Sequence, residues 1–125
     1  MTAWTSGELS RIGAADELEI ASKRRDGTLR NRVTIWVVRY GDDFYVRSVN
    51  GRTAAWFRGT QVTREGRIWA GGVEKDVTFV DAGRDIDDEI DAAYRAKYHR
   101  YAATIVDHVV GSQARSATLK LVPRL

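Results

Sequence analysis

The residues best suited to chemistry lie in one stretch, Tyr45 to Arg58, which reads YVRSVNGRTAAWFR. Arg47, Ser48, Arg52 and Arg58 supply hydrogen-bond donors, and Gly51 opens a turn before a short aromatic helix. Arginine presents a planar fork of donors that suits phosphate or carboxylate. Free backbone N–H groups at a helix start add to such a site. Trp36 or Trp56 offers a flat apolar wall for an aromatic ligand. The plainer alternative is an ordinary sheet edge, with the arginines solvated and Trp56 and Phe57 plugging the core.

Other catalytic chemistry finds less support. The chain has no cysteine, which removes disulfides, thiolate metal sites and a cysteine nucleophile. No G-x-S-x-G elbow follows a strand. The only histidines, His99 and His108, match no metal-ligand spacing. His99 falls at a basic helix end, and His108 in an expected loop. The acids Asp85, Asp87, Asp88 and Glu89 read as first-turn residues complementing a helix dipole rather than as a metal site.

Charge is uneven along the chain. Overall it is +3, but Lys23 to Arg67 holds eleven basic and four acidic residues, and Asp81 to Asp91 holds six acids with only Arg84. Sixteen of the twenty basic residues are arginine. A mild net charge without a continuous basic track, and without an RNP-like aromatic motif, argues against a nucleic-acid partner. The 125 residues fit one domain, 1–125, able to bury a core without staples. No stretch approaches the roughly 18 apolar residues of a membrane span, and no targeting segment is visible, so no membrane partner and a cytoplasmic location are expected.

The elements that must position these residues read as follows. A helix is expected over residues 6–14, capped by Ser6. A half-buried strand over 17–24 leads through Asp26-Gly27 into VTIWVVRY, Val33 to Tyr40, whose two apolar faces suggest a central strand. Gly41-Asp42-Asp43 turns into a strand from Phe44 to Val49. A helical turn or two follows from Thr53 to Arg58. Strands over 67–70 and 73–80 join at Gly71-Gly72. Residues 85–101 form the clearest helix, with Ile86, Ile90, Ala93, Lys97 and Tyr101 near one stripe. Tyr94, Tyr98 and Tyr101 are expected mainly to pack. Residues 99–115 form an apolar loop or short helix, and a last strand spans 116–122. The sum is a mainly β, α+β fold: six antiparallel strands in a barrel or curled sheet, with peripheral helices.

The runs ELEIASKRRDGTLRNRVTIWVVRYGDDFYVRS, WFR, RIWAGGVEKDVTFV, AAYRAKY and ATLKLVPR, from Glu17 to Arg124, carry a resemblance, spanning Leu9 to Arg124, to the domain-of-unknown-function 2255 family of bacteria. That family is similar to the split β-barrels that bind flavins, including pyridoxamine-phosphate-oxidase-like proteins and deazaflavin-dependent nitroreductases. The resemblance implies a six-stranded antiparallel split barrel, a homodimer, and FMN or a deazaflavin coenzyme as cofactor. It implies a cofactor phosphate held near Arg47, Ser48, Gly51, Arg52 and Trp56, with Ile35, Trp36 and Val37 flanking the ring and Arg30 and Arg32 at the entering hairpin. The sequence departs from the relatives in having Arg58-Gly59 where deazaflavin enzymes carry Asn-Leu, and in lacking the Lys of many flavin members. Two functions follow as expectations: an oxidoreductase working through its cofactor, or a non-enzymatic dimeric small-ligand-binding or interaction module whose cofactor pocket is lost.

Overall fold

A computed structural model describes residues 3–124. Helix α1 spans Ser6–Ala14 and carries a capping box: the Thr5 hydroxyl accepts from the Glu8 amide, and the Glu8 carboxylate accepts from the Thr5 amide. The cap is thus Thr5, one residue before the expected Ser6, because the box needs its acid three positions on. Leu9 and Ile12 bury the inner face of this helix.

Seven strands form a single antiparallel sheet: β1 Leu18–Ser22, β2 Val33–Ile35, β3 Val38–Tyr40, β4 Asp43–Arg47, β5 Glu65–Ala70, β6 Val73–Asp81 and β7 Thr118–Pro123. Their order is β2-β1-β5-β6-β7-β4-β3. The predicted hairpin turns fall at Asp26-Gly27, at Gly41-Asp42 and at Gly71-Gly72. At the last of these both glycines have positive φ, 57° and 80°, the backbone that a two-residue hairpin turn requires.

One expectation is overturned in an informative way. VTIWVVRY is not a central strand. It breaks at Trp36-Val37, and its halves β2 and β3 form the two opposite edges of the sheet. Six expected strands therefore become seven. The curled sheet returns to its starting point, and the two-residue break spans the seam.

The break is held by side chains from sixty residues downstream. The Tyr98 hydroxyl accepts from the Val37 amide at 3.1 Å, and it lies 2.7 Å from the Asp16 carbonyl and 3.0 Å from the Val37 carbonyl. A hydroxyl has one proton to give, and the shorter contact takes it. Lys97 Nζ donates to the Val37 carbonyl at 2.7 Å. Both backbone groups of Val37, which ladder bonds would normally satisfy, are therefore met by neighbouring side chains of one helix.

Inside the curl, Leu18, Ile20, Phe44, Val46, Phe57, Ile68, Val77, Phe79, Leu119 and Leu121 form the core. A second cluster lies outside β3 and β4, where Val38 and Tyr45 meet Ile90, Tyr94, Tyr98, Val106 and Val109. It is covered by α3, Asp87–Lys97, and α4, Ala103–Val110. The buried stripe of α3 runs through Ile90 and Tyr94 to Tyr98, rather than through Ala93, Lys97 and Tyr101. His108 lies in the last turn of α4, not in a loop. Between β4 and β5, a 3-10 turn at Gly51–Thr53 leads into α2, Ala55–Thr63, which is longer than expected. Its N-cap is Ala54, not Thr53, and no side chain caps it. A short α5, Ser112–Arg115, precedes β7. No helix among the described residues is long and apolar enough to cross a membrane.

Candidate functional site

Two clefts open on either side of one side chain. The first, about 280 Å³, is lined mainly by Ile35, Trp36, Val49, Trp56, Ile105 and Val109, with Thr34, Arg47 and His108 adding polar atoms. The second, about 260 Å³, is lined by Ile20, Ser22, Arg24, Arg30, Asn31, Val33, Ala55, Trp56 and Thr60. Trp56, from the first turn of α2, belongs to both.

The first cleft is aromatic and rigid. Trp36 sits at the strand break, its ring stacked on Tyr98 with centroids 3.9 Å apart and planes 2° from parallel. Tyr101 lies 5.1 Å away at a tilt. Tyr98 is fully buried and anchored at its hydroxyl, and burial pushes that hydroxyl's pKa up, so it stays protonated. Trp36 is thus fixed by the same residue that closes the seam. Val49 and Ile105, at the rim, are 46% and 49% exposed. Both are apolar side chains left facing solvent at the mouth of an apolar cleft.

Arg47 lines this cleft but has nothing to offer a ligand. Its side chain is wholly buried. Nε donates to the Thr118 hydroxyl at 2.9 Å. One terminal nitrogen donates to Asp91 and to the Val109 carbonyl at 3.1 Å, and the other to the Asp87 carbonyl at 3.2 Å and its carboxylate at 3.5 Å. Arginine has five N–H donors, and all five are taken. The expected phosphate donor is a tie between β4, α3, α4 and β7. The acids of α3 have a role beyond the helix dipole, since Asp87 is buried and answers this guanidinium.

The neighbouring expectations change for similar reasons. Ser48 is buried, and its hydroxyl donates to the Gly51 carbonyl at 2.8 Å, closing the turn on itself. Gly51 is buried with φ 78°, a left-handed backbone that favours glycine. Arg52 faces solvent, reaching the Ser116 carbonyl at 3.0 Å and Asp81 at 3.4 Å. Arg32 stacks over Trp69 at 3.8 Å and pairs with Glu19. Neither Arg32 nor Arg52 lines a cleft. Of the eight candidate residues, Trp36, Arg47 and Trp56 meet at the first cleft, and Trp56 and Arg30 at the second.

Several lining residues carried no sequence signal as site residues: Val49, Ile105 and His108 in the first cleft, and Ser22, Arg24, Asn31 and Thr60 in the second. Only the charge excess between Lys23 and Arg67 pointed toward the second.

Among solved structures, the chain is similar to the heme storage protein HutZ from Vibrio cholerae, at 15% identity and TM-score 0.67, covering 96% of this chain and 90% of that one. It is also similar to an F420 reductase, at 12% identity and TM-score 0.60, covering 97% and 94%. Identities this low carry the fold alone, and they place the curled sheet among the split barrels. No curated protein matches the chain. A family model described as "uncharacterized protein conserved in bacteria (DUF2255)" matches residues 8–121, and the chain belongs to that family.

Proposed function

We propose that this protein binds a flat, aromatic small molecule in the first cleft, with FMN or a deazaflavin coenzyme the best-fitting class, and acts as an oxidoreductase through it. The observation that carries the reading is the apolar cleft of about 280 Å³ with Trp36 fixed against Tyr98 and Trp56 in the same lining. Ligand clefts are typically about 300–1,000 Å³ and largely apolar, with a few polar groups. A cleft just below that range suits one fused ring system. Thr34 and His108 are the polar groups left to orient such a ring, because Arg47 is fully engaged.

Bound there, such a cofactor would supply the hydride or electron transfer. The protein's part is to stack the ring, exclude water from one face and fix its orientation. The likeness to an F420 reductase agrees with this reading. Val49 and Ile105 at the rim favour a homodimer in which the second copy covers the cleft mouth.

A second reading rests on His108, an imidazole in the same lining. It would make the protein a non-enzymatic binder of a tetrapyrrole, in keeping with the likeness to a heme storage protein. Titration of purified protein with FMN, coenzyme F420 and hemin separates the two. Quenching of tryptophan fluorescence by FMN or F420, lost in Trp56→Ala, supports the first reading. A shifted Soret band with hemin that disappears in His108→Ala supports the second. No response to any of the three overturns both.

A further inference from the structure

We propose that Lys97 is a site of N-acylation by small acyl phosphates, its amine presented by the Val37 carbonyl at the strand break and the donor's phosphate received by Arg100. The chain has four lysines. Three have a carboxylate within ion-pair distance: Lys23 with Glu65, Lys75 with Glu8 and Lys120 with Asp43. Lys97 has none among the described residues. Its Nζ, at the end of α3, donates instead to the Val37 carbonyl at 2.7 Å. It lies 5.3 Å from the centre of the Tyr98 ring.

That difference in partner decides reactivity. An ammonium has no lone pair, and only the free amine attacks an acyl carbon. A carboxylate partner favours the ammonium, whereas a carbonyl accepts a hydrogen bond from either form. The Lys97 side chain is half-buried, so it is desolvated enough to lose its proton and open enough to be reached. Burial lowers its pKa to about 8, with Asp16 opposing the shift and Arg100 adding to it. Those are the charged groups that face the amine, and the Tyr98 hydroxyl beside them stays protonated. One N–H of the amine holds the Val37 carbonyl, and the lone pair is left for the incoming carbon. The product keeps this arrangement, because an acylated amine retains one N–H for the same carbonyl.

Arg100 suits the leaving group. Its guanidinium is half exposed, and one terminal nitrogen meets Asp16 at 2.5 Å and the Tyr101 hydroxyl at 3.5 Å. Nε and the other terminal nitrogen have no partner among the described residues, and free guanidinium donors match phosphate oxygens. In the step itself the amine lone pair attacks the acyl carbon and a C–N bond forms. The bond from that carbon to the phosphate oxygen breaks, and its electron pair leaves with phosphate. The amine proton passes to water, and nothing is oxidised or reduced.

The test treats wild type and Arg100→Gln with limiting acetyl phosphate at pH 7.5, and separately with the N-hydroxysuccinimide ester of acetic acid, a donor without phosphate. Peptide mass spectrometry reads the acetylation rate at each lysine. At that pH about a quarter of Lys97 is free amine, against about one in a thousand for a lysine at 10.5. A less basic nucleophile is also intrinsically slower, which leaves an advantage of about tenfold over Lys23, Lys75 and Lys120. In Arg100→Gln the acetyl-phosphate rate at Lys97 should fall about threefold or more beyond any fall seen with the ester. Equal rates at all four lysines overturn the proposal, as does an advantage that persists in urea-unfolded protein. So does a loss in Arg100→Gln that is no greater with acetyl phosphate than with the ester.

Discussion

Replacing Arg47 with methionine is predicted to destabilise the protein severely while leaving the chemistry of the clefts intact. Methionine keeps most of the volume, so the loss is electrostatic. The side chain joins four elements, through Thr118, Asp91, Val109 and Asp87. Without it, the Asp87 and Val109 carbonyls lose a partner, at about 1–3 kcal/mol for each buried group. The carboxylates are not stranded entirely. Arg84 Nε stays 2.5 Å from Asp87, and Arg115 Nε 3.2 Å from Asp91. That backing limits the electrostatic loss, which for one partner of a buried pair is typically about 3–5 kcal/mol. A total near 4 kcal/mol is therefore expected. For a chain of this length, 1 kcal/mol moves Tm by about 3–5 °C, so the drop is about 12–20 °C. Calorimetric or circular-dichroism melting measures it directly. A change below about 3 °C, with loss of ligand or anion binding, would refute the reasoning and restore Arg47 as a ligand donor.

Three further outcomes are expected. Tyr98→Phe removes the hydroxyl that serves Val37 and Asp16 and should cost about 1–3 kcal/mol, with faster hydrogen exchange at the Val37 amide, read by NMR. Gly59→Ala places a Cβ against Ser22 and Arg30. The overpacking should cost about 1–3 kcal/mol, read as a lower Tm than that of Val62→Ala, an exposed control on the same helix. Lys97 gives a pH signature: burial lowers its pKa to about 8, against 10.5 ordinarily, with Asp16 opposing and Arg100 reinforcing the shift. Between those values the unfolded chain holds the extra proton, so this group's contribution to stability rises with pH through that window. Melting temperatures of wild type and Lys97→Met from pH 7.5 to 9.5 should converge or cross accordingly; parallel curves would count against it.

Local signals were enough to read the hairpins, because turns at Asp26-Gly27, Gly41-Asp42 and Gly71-Gly72 are written in the residues that occupy them. The break at Trp36-Val37 was not legible. VTIWVVRY has apolar, strand-favouring residues throughout, and what interrupts it is Tyr98 and Lys97, distant in the chain. Arg47 was misread for a related reason. Its alternation along β4 places it with Tyr45 on the outer face, and only the packing of α3 and α4 buries that face. The clue was present in the charges, since a basic half and an acidic segment of one chain can neutralise one another. Trp36 and Trp56 stand out by type, and both line the first cleft. Of the lining of the second cleft only Arg30 and Trp56 were singled out by sequence, because Ser22, Arg24 and Thr60 are ordinary residues until Gly59 brings the helix against them.

The broken strand also acts as a register lock. β2 pairs with β1 at Leu18–Ile35, and β3 with β4 at Val38–Tyr45. Only Trp36 and Val37 separate the two ladders, a tether of a few ångströms per residue. Sliding either edge by one residue would turn its side chains to the wrong face and would drag the opposite edge with it. Mispairing therefore has to occur at both rims of the sheet at once. Two residues that look like an interruption make a shifted alignment doubly unfavourable, and one of them is the tryptophan that lines the first cleft.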